Sequence, residues 1–256
     1  MEYSGKLVDL YDKIFSKKRY DREVDFVLNA NDLYSDCGPL AETSNVLDVG
    51  CGTGTHSLIL REKTKSNIIG TDFSPEMINK AKEKSKDISR CFFFVNAEKF
   101  PYTFDIVISM FYVVNHVHSL RDLEDYFNFI SVCCKKGGIF IFDCWNGVAA
   151  LRDPPHGSTV ERYSDGKTKI VTTSTPNTDL LTSTSNILNV VKIYSDNVIT
   201  DGFGYTLKHI FWTPFILSSI LEKYDFDVLD ILKPYEINQK ASCDDYKIVY
   251  VCKKKR

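Results

Sequence analysis

The sequence predicts an α/β protein: strands and helices alternate to build a parallel sheet, and an antiparallel β insertion interrupts them before the last helix. Three observations predict it. An apolar run, Val46, Leu47 and Val49, feeds into Gly50, Cys51, Gly52, Thr53 and Gly54, and helical character begins at Thr55. Strand, glycine loop and helix in that order open a nucleotide-binding unit. Short apolar runs then recur with helix-like segments between them, the spacing of right-handed crossovers. From residue 159 to 209 the composition turns to Thr, Val, Ile, Ser, Asn and Tyr broken by turn signals, which reads as antiparallel strands.

The elements follow in order. Apolar positions 7, 8, 10, 11, 14 and 15 predict a helix over 7–15. A second, over 20–33, carries Val24, Phe26, Val27 and Leu28, and Asp36-Cys37-Gly38-Pro39 is a turn. The first strand is followed by a helix through residue 63. Ile68, Ile69, Gly70, Thr71 and Asp72 make the second strand, which ends in a carboxylate. Ser74 as cap and Pro75 in the first helical position start a helix through residue 84. Strands are expected over 91–95 and 104–109, with residues 110–116 as a loop or half-turn. Ser119 caps a helix over about 120–134, and Lys136-Gly137-Gly138 turns into a strand over 139–143. Within the insertion, Ser164-Asp165-Gly166, Thr175-Pro176-Asn177 and Ser195-Asp196-Asn197 mark turns. Thr213 caps a helix from Pro214 to about residue 224, and residues 226–232 and 247–252 supply the last strands. The expected organisation is an N-terminal helical lid over 1–40, a Rossmann-like core domain over 41–148 and 210–256, and the insertion over 149–209 as substrate cap or dimer contact.

With 256 residues, 43% of them hydrophobic, the chain can bury one sizeable core. A formal charge of -2 gives no overall basic field, so no nucleic-acid partner is expected. The eight cysteines include no C-x-x-C pair, so neither a metal site nor a disulfide framework is expected. Cys51, Cys91, Cys134 and Cys144 lie in or beside apolar runs and read as small core residues. No leader pattern and no membrane-length apolar run is present, so a soluble, cytoplasmic protein with no membrane partner is the expectation.

The glycine spacing carries the chemistry. Alternate glycines remove the Cβ atoms that would hold a ligand off the backbone, and a helix N-terminus follows. The third glycine comes one residue earlier than in the dinucleotide fingerprint, which disfavours a dehydrogenase. Asp48 precedes the first glycine by two positions, and Asp72 follows Gly54 at the spacing of an acid that grips ribose hydroxyls. This D-x-G-x-G-x-G form resembles motif I of the class I S-adenosylmethionine-dependent methyltransferases. The pieces V-L-D-V-G-C-G-T-G-T, I-I-G-T-D-F-S-P-E-M, F-D-I-V-I-S-M-F and K-K-G-G-I-F-I-F-D resemble that family's motifs in order, and the resemblance covers nearly the whole chain. A narrower resemblance is to bacterial N-methyltransferases that dimethylate the amine of nucleotide-linked amino sugars. It is carried by Tyr3 in Y-S-G, Tyr11 in L-Y-D, Tyr20, the N-H pair ending at His116, Trp145 after the fifth strand, and the insertion. The chain departs from the pattern at Asn96, where many relatives have Asp, and in its single Trp145 followed by Asn-Gly.

What the resemblance implies is specific. The cofactor is S-adenosylmethionine, and the acceptor is a small molecule, a nucleotide-linked sugar. Asp48, Gly50, Cys51, Gly52 and Gly54 form the loop that the methionine part approaches, and Asp72 accepts from the ribose hydroxyls. Phe73 and Met77 flank the adenine, Asn96 or Ala97 meets its edge, and Met110 lies beside the cofactor. Tyr3, Tyr11 and Tyr20 close over it as a lid. His116, with Tyr3, stands at the reacting centre as general base or polar contact. Phe111, Trp145 and Arg162 join His116 against the substrate. Arg162 and Lys169 either meet its phosphates or, as is commoner on a β insertion, form a solvated face, and Asp143 is either a further polar group of the pocket or a turn former before Trp145. A homodimer is the expected assembly. Methylation of a sugar hydroxyl or another metabolite is the alternative, and a cofactor-binding protein without catalysis is a third reading that the intact loop and Asp72 disfavour. Residues after the fourth strand show no N/D-P-P-Y/F motif of the kind carried by DNA amino-methylating enzymes.

Overall fold

The computed structural model describes residues 4–96 and 99–255. Two helices, α1 (Lys6–Ile14) and α2 (Tyr20–Tyr34), precede β1 (Asn45–Val49), α3 (Thr55–Thr64), β2 (Asn67–Asp72), α4 (Pro75–Ser85), β3 (Cys91–Val95) and β4 (Phe104–Ser109). A 3₁₀ turn (Val113–His116) leads to α5 (Leu120–Cys133), β5 (Cys134–Trp145) and α6 (Gly147–Arg152). The insertion supplies β6 (Thr159–Ser164), β7 (Thr168–Asp179), β8 (Thr184–Ser195) and β9 (Val198–Ile210). The chain closes with α7 (Pro214–Lys223), β10 (Phe226–Leu232) and β11 (Lys247–Lys254).

The capping chemistry acts where the sequence puts it. The Ser74, Ser119 and Thr213 hydroxyls accept from the backbone N–H groups of Met77, Asp122 and Ile216, satisfying donors that the first helical turn leaves orphaned. α6 is an addition to the expected elements: Asn146 caps it through Val148 N–H, and Gly147 N–H donates to Trp212 O at 3.1 Å.

The main sheet runs β10-β11-β5-β4-β1-β2-β3. β3, β2, β1, β4 and β5 are parallel, and β11 lies antiparallel between β5 and β10. Side chains alternate across it. Leu47, Val107, Phe140 and Phe142 face α5 and α7, while Val46, Ile68, Ile106 and Ile141 face α2, α3 and α4. Both faces are covered, so the central strands are apolar along their whole length.

The expected turn at Lys136-Gly137-Gly138 is a bulge inside β5: pairing with β4 jumps from Phe104↔Cys134 to Ile106↔Ile139. The expected turn at Thr175-Pro176-Asn177 is strand, and β7 turns only beyond Asp179. Pairing of β6 with β7 ends at Thr159↔Ser174, so Pro176, which has no N–H, sits where one side of β7 is free. The turns at 165–167 and 196–197 fall where the sequence puts them.

β6 to β9 form a separate antiparallel sheet. Its inner face carries Ile170 and Val191, which pack with Leu7 and Ile14 of α1. The N-terminal forty residues therefore divide. α1 lies between the insertion and the core, whereas Val24, Phe26, Val27 and Ala30 of α2 are core residues.

Candidate functional site

The glycine loop leaves β1 with Gly50, Gly52 and Gly54 all in the left-handed region, which costs other residue types free energy. Gly50 is also closely covered, since a Cβ there would come within 2.6 Å of Val113. The loop is tied to β2 through Gly50 N–H to Thr71 O at 2.8 Å and Gly52 N–H to the Asp72 carboxylate at 2.9 Å. The other Asp72 oxygen accepts Ser74 N–H at 2.9 Å. Burial raises the Asp72 pKa against these bonds. Each carboxylate oxygen has lone-pair capacity beyond one backbone donor. A Cβ on Gly52 would meet nothing within 4 Å, and the adjacent Phe73 ring is 84% exposed. Open space over a backbone loop, an acid at its edge and a bare aromatic ring fit an adenosine-bearing cofactor.

Two cavities of about 660 Å³ each meet here, within the usual range for small-ligand sites. Gly50, Asp72, Phe73, Asn96, Val113 and His116 line both. One continues along α5 past Asp122, Asp125 and Tyr126. The other runs beneath α1, with Tyr11, Phe15, Met77, Met110, Phe111 and Trp145 in one wall. Its facing wall is the inner face of the insertion, with Glu161, Thr172, Ser174, Asn189, Tyr205 and His209.

At the junction the His116 ring lies 4.5 Å from that of His209, which lies 4.5 Å from Trp145. His118 donates to Lys208 O at 3.2 Å. Burial, reinforced by His118, pushes the His116 pKa down to about 4. Burial, with His116 and His118 adding, pushes His209 well below the usual imidazole range. Both rings are therefore neutral near pH 7. Phe111 and Tyr112 have φ values of 74° and 64°, two consecutive non-glycine residues in a costly region. The Asp143 carboxylate holds this turn: it accepts Tyr112 N–H at 2.8 Å and the Tyr235 hydroxyl at 2.7 Å. Below, Lys18 sits 4.4 Å from the Phe111 ring and pairs with buried Glu23, which also bonds His56 at 2.7 Å. Burial alone would raise Glu23, but His56 and Lys18 hold it below the usual carboxylate range.

The expected residues sort as follows. Tyr11, Gly50, Gly52, Asp72, Phe73, Met77, Asn96, Met110, Phe111, His116 and Trp145 line the paired cavities. Tyr20 lies outside them, edge-on to His56 at 4.9 Å. Asp48 is buried beneath the loop with its carboxylate on the Ser57 hydroxyl at 2.6 Å. Cys51 is buried against the Gly70 backbone, and Gly54 caps α3. Arg162 is exposed, because Glu161 and Tyr163 take the inner face of β6 opposite Thr172 and Ile170 and turn it outward; the same alternation turns Lys169 out. Asp143 supports the cavity rather than lining it. Tyr3 and Ala97 lie outside the described residues. Glu161, Thr172, Asn189, Tyr205 and His209 were not anticipated. Period-two alternation along the insertion carries that signal, once the register is known.

Among the described residues no helix is long and apolar enough to cross a membrane.

Residues 40–191 match the family described as "Methyltransferase domain". The putative methyltransferase YqeM of Bacillus subtilis is 27% identical over 147 residues, 56% of this chain and 55% of that protein, so the match spans about half the length of this curated relative. The crystal structure of an S-adenosylmethionine-dependent methyltransferase from Clostridium acetobutylicum superposes with a TM-score of 0.79 at 20% identity, covering 98% of each chain. The sugar N-methyltransferase KedS8 from a Streptoalloteichus species gives a TM-score of 0.78 at 15% identity, covering 99% of this chain and 94% of that one. At these identities the likeness is one of fold.

Proposed function

This chain belongs to the methyltransferase-domain family, an S-adenosylmethionine-dependent fold, and from that premise we propose that it methylates the amino group of a small sugar. One observation carries the reading. His116 stands, neutral, where the cofactor cavity meets a cavity walled by the hydroxyl- and amide-bearing inner face of the insertion. Bound S-adenosylmethionine supplies a methyl group on a sulfonium. The Gly50–Gly54 loop and Asp72 position it, and Phe73 offers a face to adenine. An imidazole held near 4 is a weak base for a hydroxyl proton. It serves better as an acceptor that orients an amine, whose own lone pair attacks. That favours nitrogen over oxygen. Positioning then carries much of the rate.

α1 and the insertion act in this reading as lid and substrate cap, and Tyr11 and Phe15 exclude water from the junction. Thr172, Ser174, Asn189 and Tyr205 supply partners for sugar hydroxyls. The likeness to a sugar N-methyltransferase points the same way. A nucleotide-linked acceptor, a second methylation, a homodimer and a cytoplasmic setting belong to the same reading.

The test is incubation with labelled cofactor and a panel of amino and hydroxy sugars, free and nucleotide-linked, with mass spectrometry of the products. Transfer to nitrogen on an amino sugar is expected. Transfer confined to hydroxyl groups would sink the reading.

A further inference from the structure

The acceptor wall contains a cluster of unsatisfied polar atoms. Among the described residues, six buried side-chain polar atoms have no hydrogen-bond partner, and three of them sit on neighbouring rings: Trp145 Nε1, His209 Nδ1 and the Tyr246 hydroxyl. The Trp145 ring lies 4.5 Å from His209 and 5.3 Å from Tyr246. Trp145 and His209 line the cavity beneath α1, and His209 is 6% exposed. A buried polar group left unpaired is destabilising, because it has lost its water and gained no partner. Two such groups on touching rings that border a ligand cavity, Trp145 and His209, mark a place where a polar group belongs.

The chemistry of the three atoms restricts that group. An indole N–H only donates, a neutral imidazole nitrogen can accept, and a phenol does either. With the His209 proton on Nε2, a group that meets both Trp145 and His209 must accept and donate at once. An amine about to be methylated cannot accept from Trp145, because its lone pair is aimed at the methyl carbon. A hydroxyl can do both. The neighbouring ring is His116, 4.5 Å from His209, so the hydroxyl lies beside the reacting nitrogen.

We propose that Trp145 and His209 form a hydroxyl subsite that takes the hydroxyl group adjacent to the reacting amine, and so select acceptors in which amine and hydroxyl are neighbours. This rests on the amino-sugar reading above. The subsite orients the acceptor; it moves no proton and breaks no bond. His209 acts here as a positioning residue, and its tilted ring contacts with Trp145 and His116 keep the orientation rigid.

The test uses full-length protein, an aminohexose with a hydroxyl beside the amine, and its deoxy analogue lacking that hydroxyl. For wild type, kcat/KM should fall about tenfold on the deoxy analogue, the worth of about one buried hydrogen bond. Trp145→Phe and His209→Phe keep an aromatic ring and remove the polar atom. Each should lose about tenfold on the hydroxylated acceptor, little on the deoxy one, and nothing in cofactor affinity by calorimetry. His209→Gln restores a hydrogen-bonding side chain, should recover part of the loss, and serves if the Phe variant misfolds. Equal losses on both acceptors would make the rings a structural wall and overturn the subsite alone. So would an acceptor complex in which a water molecule bonds both polar atoms. An aminohexose that is neither methylated nor bound in the presence of the demethylated cofactor would remove the amino-sugar reading and the subsite together.

Discussion

His116 and Asp72 show how burial assigns work to single side chains. A histidine's pKa of about 6.5 in an unfolded chain drops to about 4 in this one on folding, because burial disfavours the charged ring. Between those values the unfolded chain binds the extra proton, so stability rises with pH across the window. His116 therefore weakens the fold by nothing above about pH 6.5, and by up to about 3 kcal/mol as pH falls toward 4. His209 is depressed in the same direction and adds to the slope. Urea midpoints at pH 7 and pH 5 should differ in wild type and differ less in His116→Asn, whereas equal slopes would mean the ring is not buried. Asp72 carries a different load. Its carboxylate braces Gly52 and Ser74 and also faces the cavity. Asp72→Ala should weaken S-adenosylmethionine binding about 10- to 100-fold, since charged hydrogen bonds are worth about 1.5–3 kcal/mol, and calorimetric titration reads it. Asp72 was legible in the sequence because spacing from a glycine loop is local information. His209 was not, because its partners Trp145 and His116 are distant in the chain.

α1 is the element on which the cavity facing the insertion depends. Ion pairs tie it to its surroundings, Lys84–Asp12 at 2.9 Å, Lys80–Asp9 at 3.2 Å and Lys6–Asp201 at 2.6 Å. Exposed pairs of this kind each contribute only about 0.2–1 kcal/mol. The apolar contact of Leu7 and Ile14 with Ile170 and Val191 therefore does most of the holding. Removing residues 1–15 should abolish turnover, because one wall of the cavity goes with them, while the main sheet, built without α1, stays folded by circular dichroism. Retained turnover would show that α1 does not shape the reacting centre. Element boundaries were mostly legible, since Ser74, Ser119 and Thr213 announce helices through local hydrogen bonds. The two turns that proved to be strand, at Gly137 and Pro176, were not. A glycine in a bulge and a proline on a free strand edge look the same in sequence as the same residues in a turn.

Across the whole molecule the two layers of core meet on β5, the strand that also ends at the cavity wall with Trp145. Phe142 lies fully buried between Phe140 and Tyr250, with ring centroids 4.9 and 4.7 Å away. Phe142→Ala should cost about 3–5 kcal/mol, the usual range for emptying such a site. Chemical denaturation measures it, and a loss under about 1 kcal/mol would mean that the neighbouring rings collapse into the gap. The sequence by itself determined the α/β class, the position of the insertion and the glycine loop with Asp72 beside it, because these rest on short-range signals: hydrophobic period, glycine spacing, capping residues. The wall that the insertion gives the cavity was decided by tertiary structure. Which residues of β6 to β9 face inward depends on strand register, and a shift of one residue would have put Arg162 rather than Glu161 in the wall. In that register Ile170 and Val191 pack against Leu7 and Ile14 of α1, a contact between segments more than 150 residues apart, which no local pattern records.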